Sequence, residues 1–524
     1  MTLSATGDVP GRSRGDRKAP THWAFRPATF LVAMALLQIL HAILRPLLTD
    51  TVGNDNTDQL FFAQDLRAGY AYEQLPLYTW IVWSVGQLLG PTIVAVGIIR
   101  YSLVFLIHLF AYLSGRRLFA DPRLQVACGL SPLLLYPIGW RLHEADTLGV
   151  LASVLILALT WVLIRVLQRG GLADFLGFGL VLGLGLLSSG YFGIGVVALL
   201  LAVLIDPIAR RGFFRWPLLP ALLLSGLILL PTLLWALGQG GAMLDQIQVR
   251  LAEWQDADAL NPWYDRAWFG FINLFVGNFP AWLILGLLFF PSLRPLPRGS
   301  LTGAGRVLLL YSGLILVLTP LTALLLEVHN THQFRLYPLT LPLLPLFFLR
   351  LSLRPLHPTP LRWLLILYAV FILAAIQGRF QHIEAGPAFC AQCRMQTPYP
   401  DMATTLRAEG YAGGGTIVAG DIHIAGNLRT QFPEARILTP RYPEVRPPAA
   451  SEAGACVVVW NAREGRGHVE RLYRFVEDLG VTLPSVEQSQ LTVLKIPLPP
   501  RIDVPQREVP LRSFFLPSGQ GHCR

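Results

Sequence analysis

The sequence has little charge and almost no lysine. Asp, Glu, Lys and Arg make up 14% of its 524 residues, against 53% for the hydrophobic residue types, and the mean hydropathy is +0.50. This balance excludes an ordinary soluble protein. The net charge of +10 comes from arginine, because Lys18 and Lys495 are the only lysines. The arginines form short groups between apolar runs, which indicates membrane topology and not a nucleic-acid-binding face.

Long apolar runs recur from Phe25 to Gln377. Runs of about 17–25 residues can cross ~30 Å of hydrocarbon, so we expect a polytopic α-helical membrane protein with about eleven transmembrane helices. The predicted spans are 27–48, 91–114, 124–140, 146–165, 172–188, 191–206, 217–237, 268–290, 305–326, 334–350 and 361–378. The Gly-rich residues 172–206 fit either two spans or one broken span. The first run lacks a small-residue cleavage site and is no cleaved signal peptide.

Arginine-rich connections alternate with acidic ones along the chain. Arg116 and Arg117 follow one span, for example, whereas Asp50 and Asp55 follow another. The positive-inside rule then predicts a cytoplasmic N-terminus, and an odd number of spans places everything after about residue 379 outside. The expected domains are a cytoplasmic segment (1–26), a transmembrane domain (27–378) and an outer domain (379–524).

Two outer connections, 49–90 and 238–267, are too long for simple turns. Residues 59–70 place Phe61, Phe62 and Leu66 on one side and charges on the other, which is typical of a helix lying in the membrane interface. Residues 242–267, with their tryptophans among acids, fit the same pattern. The alternative for both is a solvated loop with interfacial aromatic residues.

The tail after Gln377 is richer in Pro and Gly and contains short β-rich runs. Strands are expected near 416–419, 436–438, 456–460 and 491–496, with helices near 422–432 and 468–479. This strand–helix alternation predicts a small α/β domain.

Cysteine is also scarce. Cys390 and Cys393 should form a short-loop disulfide in an oxidising compartment; half of a metal site and a redox motif are the alternatives. Cys128, in an apolar run, and Cys456, in a β-rich run, are expected to be buried free thiols, and Cys523 to be mobile.

Acidic residues stand at the predicted membrane boundary. Asp55 and Asp58 open the first outer loop, and Asp146 follows the third span on the same side. Charge near hydrocarbon is costly and is usually kept for function. Helix capping by these residues is an equally good explanation from spacing alone.

Several motifs resemble glycosyltransferase family 39 of the GT-C superfamily. This family includes protein mannosyltransferases, the aminoarabinose transferase of lipid A and galacturonosyltransferases of lipopolysaccharide core. The matching residues are Asp55, Asp58, Gln59 and Gln64, then Gln74, Pro76, Leu77, Tyr78 and Trp80, then Asp146-Thr147-Leu148 and Arg335-Leu336-Tyr337-Pro338. The tail from Cys390 to about Ile496 is similar to the outer domain of bacterial members, so the likeness extends over most of the chain.

The resemblance implies an inverting transfer from a polyprenyl-phosphate-sugar donor at the periplasmic face of the bacterial inner membrane. The acceptor would be lipid A or lipopolysaccharide, another glycan or a protein. Such chemistry needs a carboxylate base, groups that hold the leaving phosphate and an apolar groove for the polyprenyl chain. The residues that the resemblance implies are Asp55 as base, Asp146 and less favourably Asp58 as assisting acids, Arg335, Tyr337 and His332 as donor-phosphate ligands, and Gln59, Gln74 and Tyr78 in the substrate loop.

Some positions depart from the family pattern. Asn56 stands where many members have a second acid, and Leu75 stands where proline is common. No lysine lies in the predicted membrane core, so the phosphate role falls to Arg335, for which interfacial anchoring is the alternative.

A metal site is a weaker possibility. His329, His332 and Glu327 are too few and too close to the boundary to predict a site. The resemblance requires no metal or other cofactor, and it does not exclude the binding of a divalent metal.

A transporter or lipid-linked sugar flippase is the competing class, since it would also have many spans and buried charges. The chain shows neither two corresponding halves nor ionisable residues in the middle of the spans, which a transporter would usually have. A structural subunit whose tail binds a partner is a third interpretation.

Overall fold

The computed structural model describes most of the chain. The described residues are 23–71, 74–143, 145–241, 245, 248, 262–275, 278–295, 297, 299–301, 303–325, 336–355, 357–389, 396–449, 454–497 and 507–523.

Helices form the first three quarters of the molecule. They are α1 (Pro27–Leu48), α2 (Asn54–Phe62), α3 (Pro76–Leu89), α4 (Ile93–Leu118), α5 (Pro122–Leu130), α6 (Tyr136–Gly139), α7 (Thr147–Gln168), α8 (Leu172–Leu186), α9 (Gly190–Ile205), α10 (Pro207–Phe213), α11 (Leu218–Gly238), α12 (Trp263–Phe275), α13 (Phe279–Leu288), α14 (Ala304–Leu325), α15 (Leu343–Ser352) and α16 (Pro358–Phe389). Short 3-10 helices lie at Trp23–Phe25, Ser131–Leu134, Arg141–His143, Phe290–Leu293 and Tyr337–Thr340.

Among the described residues, six helices are long and apolar enough to cross a membrane, and the number rises to eight if each of two bent helix pairs is one span. The chain is therefore a polytopic helical membrane protein, whereas the total of eleven spans stays a prediction. The predicted span 124–140 is wrong as a continuous helix, because it divides into α5, a 3-10 turn and α6. Pro132 and Pro137 lie at the starts of the last two pieces, where a missing N–H interrupts a longer helix.

Two other predicted spans are also divided or incomplete. Residues 268–290 contain α12 and α13 and the break between them, and Pro280 lies in the first turn of α13. Part of 334–350 lies outside the described residues, and its helix α15 begins at Leu343. Residues 172–206 form two helices, α8 and α9. In the connection between them, the Leu187 carbonyl accepts a hydrogen bond from Leu77 N–H (3.2 Å).

The last quarter of the described chain is an α/β unit. It contains helices α17 (Tyr399–Ala408), α18 (Ile422–Gln431) and α19 (Arg466–Asp478), a 3-10 turn at Val486–Gln488, and strands β1 (Gly415–Ala419), β2 (Arg436–Leu438), β3 (Ala455–Asn461), β4 (Gln490–Lys495) and β5 (Glu508–Leu516). The sheet order is β2-β1-β3-β5-β4, parallel for β2-β1-β3 and antiparallel for the rest. The four predicted strands lie within one residue of the observed ones, and β5 was missed.

Both faces of the sheet are covered. Val457 and Val459 of β3 belong to one apolar core with α17 and α18, while Val458 and Trp460 belong to a second with α19. The second core also contains a disulfide between Cys456 and Cys523, 67 residues apart in sequence. The predictions of a free Cys456 and a mobile Cys523 were therefore wrong, whereas Cys128 is a buried free thiol as expected.

The interfacial helix predicted for 59–70 was also wrong. The helix in this region is α2, which ends at Phe62. Phe61 and Phe62 are fully buried and pack in the first α/β core, where both rings contact Tyr442 (centroids 6.0 and 4.8 Å apart). These rings have protein partners almost 400 residues away, so they do not face lipid. Of the other predicted interfacial segment, 242–267, most residues lie outside the described part, and Trp263 begins α12.

Candidate active site

The two acidic motifs meet at one end of the helix bundle. Asp55 lies in the first turn of α2 and Asp146 directly before α7. The Asp146 N–H donates a hydrogen bond of 2.6 Å to Asp55 Oδ2, although 91 residues separate the two positions. The described residues donate no other side-chain hydrogen bond to the Asp55 carboxylate. Its Oδ1 can therefore accept a bond from another donor.

Asp146 has an unusual backbone conformation. Its φ of 67° makes it the single non-glycine residue with positive φ in the described part of the chain, and Asp tolerates this region better than most residues. Its carboxylate caps α7 by accepting a hydrogen bond from Gly149 N–H (3.0 Å). A Cβ at position 149 would overlap that carboxylate. The capping role considered for Asp146 is thus real, and strained residues of this kind are concentrated at functional sites.

Arg100 joins the elements that carry the two acids. It lies on α4 with 2% of its surface exposed. Its guanidinium donates to the Asn56 side chain (2.9 Å), to the Ala145 carbonyl (2.8 Å) and to the Leu142 carbonyl. These bonds fix α2 and the turn before α7 to the same helix. The prediction that no ionisable residue lies in the middle of a span was wrong here, because Arg100 lies within the predicted span 91–114. An arginine inside an apolar run is itself a signal of function.

Two buried tyrosines lie close to the acids. The Tyr78 hydroxyl is within the electrostatic reach of Arg100 and Asp55 and makes no hydrogen bond within the described part of the chain. Burial raises the pKa of Tyr78, so its hydroxyl remains a neutral hydrogen-bond donor. Tyr337 is fully buried, and the charge of Asp146 acts on its hydroxyl. The surroundings of the two acids therefore contain O–H donors besides the guanidinium.

The predicted loop glutamines also come together. Gln59 accepts a hydrogen bond from the Thr79 hydroxyl (2.7 Å) and donates one to Gln74 (3.0 Å). These bonds join α2 to the start of α3, which carries Tyr78. Asp58 lies on α2 three residues after Asp55 and is half-buried.

Several predicted residues lie outside the described part: Glu327, His329, His332, Arg335, Cys390 and Cys393. Their assignments to donor phosphate, metal or disulfide stay predictions. Within the described ranges, no group of three or more His, Cys, Asp and Glu side chains could hold a metal ion.

Known proteins resemble this chain in sequence and in fold. A family model described as dolichyl-phosphate-mannose-protein mannosyltransferase matches residues 73–235, a range that contains Tyr78, Arg100 and Asp146 but begins after Asp55. Two lipopolysaccharide core galacturonosyltransferases of Rhizobium johnstonii, RgtA and RgtB, are each 28% identical to the chain. The alignment with RgtA covers 82% of this chain and 86% of the relative, and that with RgtB covers 78% and 82%.

The fold has a solved counterpart. The crystal structure of ArnT from Cupriavidus metallidurans bound to undecaprenyl phosphate matches with a TM-score of 0.59 and 11% identity, over 93% of this chain and 98% of that one. The similarity at such low identity concerns the fold, while the related sequences are named as glycosyltransferases. The related sequences confirm the motif-based prediction that the chain is a glycosyltransferase, and its sequence and fold are similar to those of GT-C enzymes.

Proposed function

We propose that the chain transfers a sugar from a polyprenyl-phosphate donor to the core of lipopolysaccharide, with inversion at the anomeric carbon, at the periplasmic face of the inner membrane. The names of the relatives support galacturonic acid as the first sugar to test, and undecaprenyl phosphate in the ArnT structure supports the class of lipid carrier.

The observation that carries this proposal is the contact between Asp55 and Asp146. One carboxylate oxygen of Asp55 is fixed by a backbone N–H at 2.6 Å, which orients the carboxylate and leaves its second oxygen to accept a proton. The partial exposure of Asp55 allows an acceptor hydroxyl to approach it. A general base must reach the hydroxyl proton within about 2.6–3.2 Å, and a fixed carboxylate meets that requirement without a search among rotamers.

The reaction then follows from these groups. The acceptor oxygen attacks the anomeric carbon while its proton moves to Asp55 Oδ1. The bond between that carbon and the phosphate oxygen breaks, and its electron pair leaves with the lipid phosphate. A single displacement of this kind inverts the anomeric configuration. The leaving phosphate needs donors, and Tyr337, together with Arg335 and His332, is assigned to it because charge-assisted hydrogen bonds to a phosphate are strong.

A small apolar cleft deeper in the bundle is where we place the start of the lipid chain. Ile156, Leu159 and Leu163 of α7 form one of its walls. Ile156 lies ten residues beyond Asp146 on the same helix, which corresponds to roughly 15 Å at 1.5 Å per residue. This depth suits a lipid tail whose phosphate lies near Asp146.

Charge distribution supports the orientation. α4 and α7 begin at the end of the bundle that holds the acids, and Arg116, Arg117 and Arg165 lie in their last turns. Arginine is retained on the cytoplasmic side, so the acids would face the periplasm.

Transfer by the purified protein tests the proposal. The full chain in liposomes would be given undecaprenyl-phosphate-galacturonate and lipopolysaccharide that lacks core uronic acid, and the product would be identified by mass spectrometry. We expect a core enlarged by one uronic acid residue. Movement of the donor across the bilayer without transfer would instead support a flippase. Envelope glycolipids from a deletion strain would identify another sugar if galacturonate fails.

A further inference from the structure

The helix that carries Asp55 is built into the α/β unit. Helix α18 of that unit packs along α2 so closely that a Cβ at Gly426 would overlap the Thr57 Cα. Thr57 is two residues after Asp55. The two helices therefore approach closely at this point, where Gly426 faces the backbone and Cβ of Thr57.

A side-chain amide fixes the chain just before α2. Asn427 Oδ1 accepts a hydrogen bond from Val52 N–H (2.8 Å), and Asn427 Nδ2 donates to the Val52 carbonyl (3.1 Å). The same Nδ2 donates to the His423 carbonyl (2.9 Å) within α18. Asn427 is fully buried, so water cannot replace these bonds when they are lost.

A second amide fixes the chain just after α2. Gln64 Oε1 accepts a hydrogen bond from Ile437 N–H (2.7 Å), and Gln64 Nε2 donates to the Ile437 carbonyl (3.1 Å). Ile437 is the central residue of β2, which is the edge strand of the sheet. The Thr51 hydroxyl adds a third link by donating to the Thr397 carbonyl (2.9 Å).

We propose that the α/β unit sets the position of the Asp55 carboxylate, with Gly426 and Asn427 as positioning residues that act through α2. These contacts lie before, along and after α2, and the same helix meets Arg100 through Asn56 and the Asp146 backbone through Asp55. A shift of α2 relative to α7 would therefore lengthen the bond between Asp55 and Asp146 N–H. This inference rests on the proposed function only for its kinetic readout.

The test compares matched glycine substitutions in the full-length protein. Gly426→Ala introduces a methyl group between α18 and α2. Gly467→Ala places the same methyl group in α19 of the same unit, where nothing lies within 4 Å of it. Displacement of a reacting group by about 1 Å can cost on the order of 100-fold in rate. We expect Gly426→Ala to lower kcat by about 10- to 100-fold with little change in the KM for donor, and Gly467→Ala to behave as wild type.

Asn427→Ala should give the same kinetic pattern, and its matched control is Asn461→Ala, which removes an amide oxygen that accepts a hydrogen bond from Arg463 N–H in the turn after β3. A double-mutant cycle then separates positioning from general damage. If Gly426→Ala acts through Asp55, it should have little further effect in an Asp55→Asn background, whereas unrelated damage would multiply the two losses.

Amide hydrogen exchange gives a readout that needs no turnover. The Asp146 amide should exchange about tenfold faster in Gly426→Ala than in wild type. In Gly467→Ala it should exchange at the wild-type rate. Wild-type kcat together with wild-type exchange in Gly426→Ala would overturn the positioning role. A wild-type protein that transfers no sugar would overturn the proposed function alone, and the exchange of the Asp146 amide would still decide the positioning role.

Discussion

Replacement of Asp55 by asparagine tests the assignment of the base most directly. Asparagine keeps the size of the side chain and retains an oxygen that can accept the 2.6 Å hydrogen bond from Asp146 N–H. It lacks the basic electron pair that would take the proton of the acceptor. The substitution therefore removes proton transfer and leaves the local structure in place.

The two expected effects differ in size. A neutral hydrogen bond in place of a charge-assisted one costs about 1 kcal/mol of folding free energy. Loss of general-base assistance lowers the rate by about 10²–10⁴-fold, which corresponds to about 2.7–5.4 kcal/mol of transition-state stabilisation. The catalytic loss should therefore be large in a protein that still folds and binds its donor.

Single-turnover transfer from purified polyprenyl-phosphate-sugar is the appropriate assay, because product release cannot hide the chemical step. Asp401→Asn is a matched control, since Asp401 is also an aspartate in the first turn of a helix but is exposed on the α/β unit. Near-normal transfer by Asp55→Asn, with inactive Asp58→Asn or Asp146→Asn, would refute the assignment of the base and leave the glycosyltransferase assignment intact.

Four further predictions concern binding, topology and disulfides. Arg335→Ala should weaken donor binding by about 10- to 100-fold, because it removes a charge-assisted contact with phosphate; unchanged binding in a titration with donor would contradict this. Alkaline phosphatase fused to the C-terminus should be active and a cytoplasm-only reporter at the same position inactive, and the reverse pattern would exclude the odd number of spans. Replacing Cys456 and Cys523 by serine should lower the free energy of unfolding of the α/β unit by about 4 kcal/mol in the chain-entropy relation, for the sequence separation of 67; equal denaturant midpoints would contradict it. Non-reducing peptide mapping of oxidised membranes should recover Cys390 bonded to Cys393, and free thiols there would remove that assignment.

Sequence patterns predicted the features that depend on local composition. The first span was predicted with the bounds observed for α1, because hydrocarbon thickness alone sets the length of an apolar run. Strand β2 was likewise predicted at its observed residues. The division of 124–140 was missed because a hydropathy average does not distinguish proline from other residues that fit an apolar run. It therefore does not show that Pro132 and Pro137 each interrupt the backbone hydrogen bonds.

Long-range partners were beyond the reach of such patterns. Phe61 and Phe62 have the periodicity of an interfacial helix, but the periodicity is the same whether lipid or Tyr442 covers the rings. Cys456 looked like an isolated strand residue because its partner Cys523 lies 67 residues away. Only the folded sheet brings the two together.

The candidate site was predicted in part. Asp55 and Asp146 were expected at the same membrane face, and the structure brings them into contact. Their roles in catalysis stay predictions. Neither the positive φ of Asp146 nor the three bonds from Arg100 could be inferred from spacing, because both depend on where the turn after α6 meets α4.

The pairing of Gln64 with β2 has a consequence for work with fragments. The backbone of Ile437 would be unpaired on its outer side if the residues from 396 onward were produced alone, and an open strand edge invites pairing with another chain. Phe432, Tyr442 and their neighbours would lose the Phe61 and Phe62 rings that complete their core. Recombinant fragments should therefore carry residues 49–71 as well, or they will tend to self-associate.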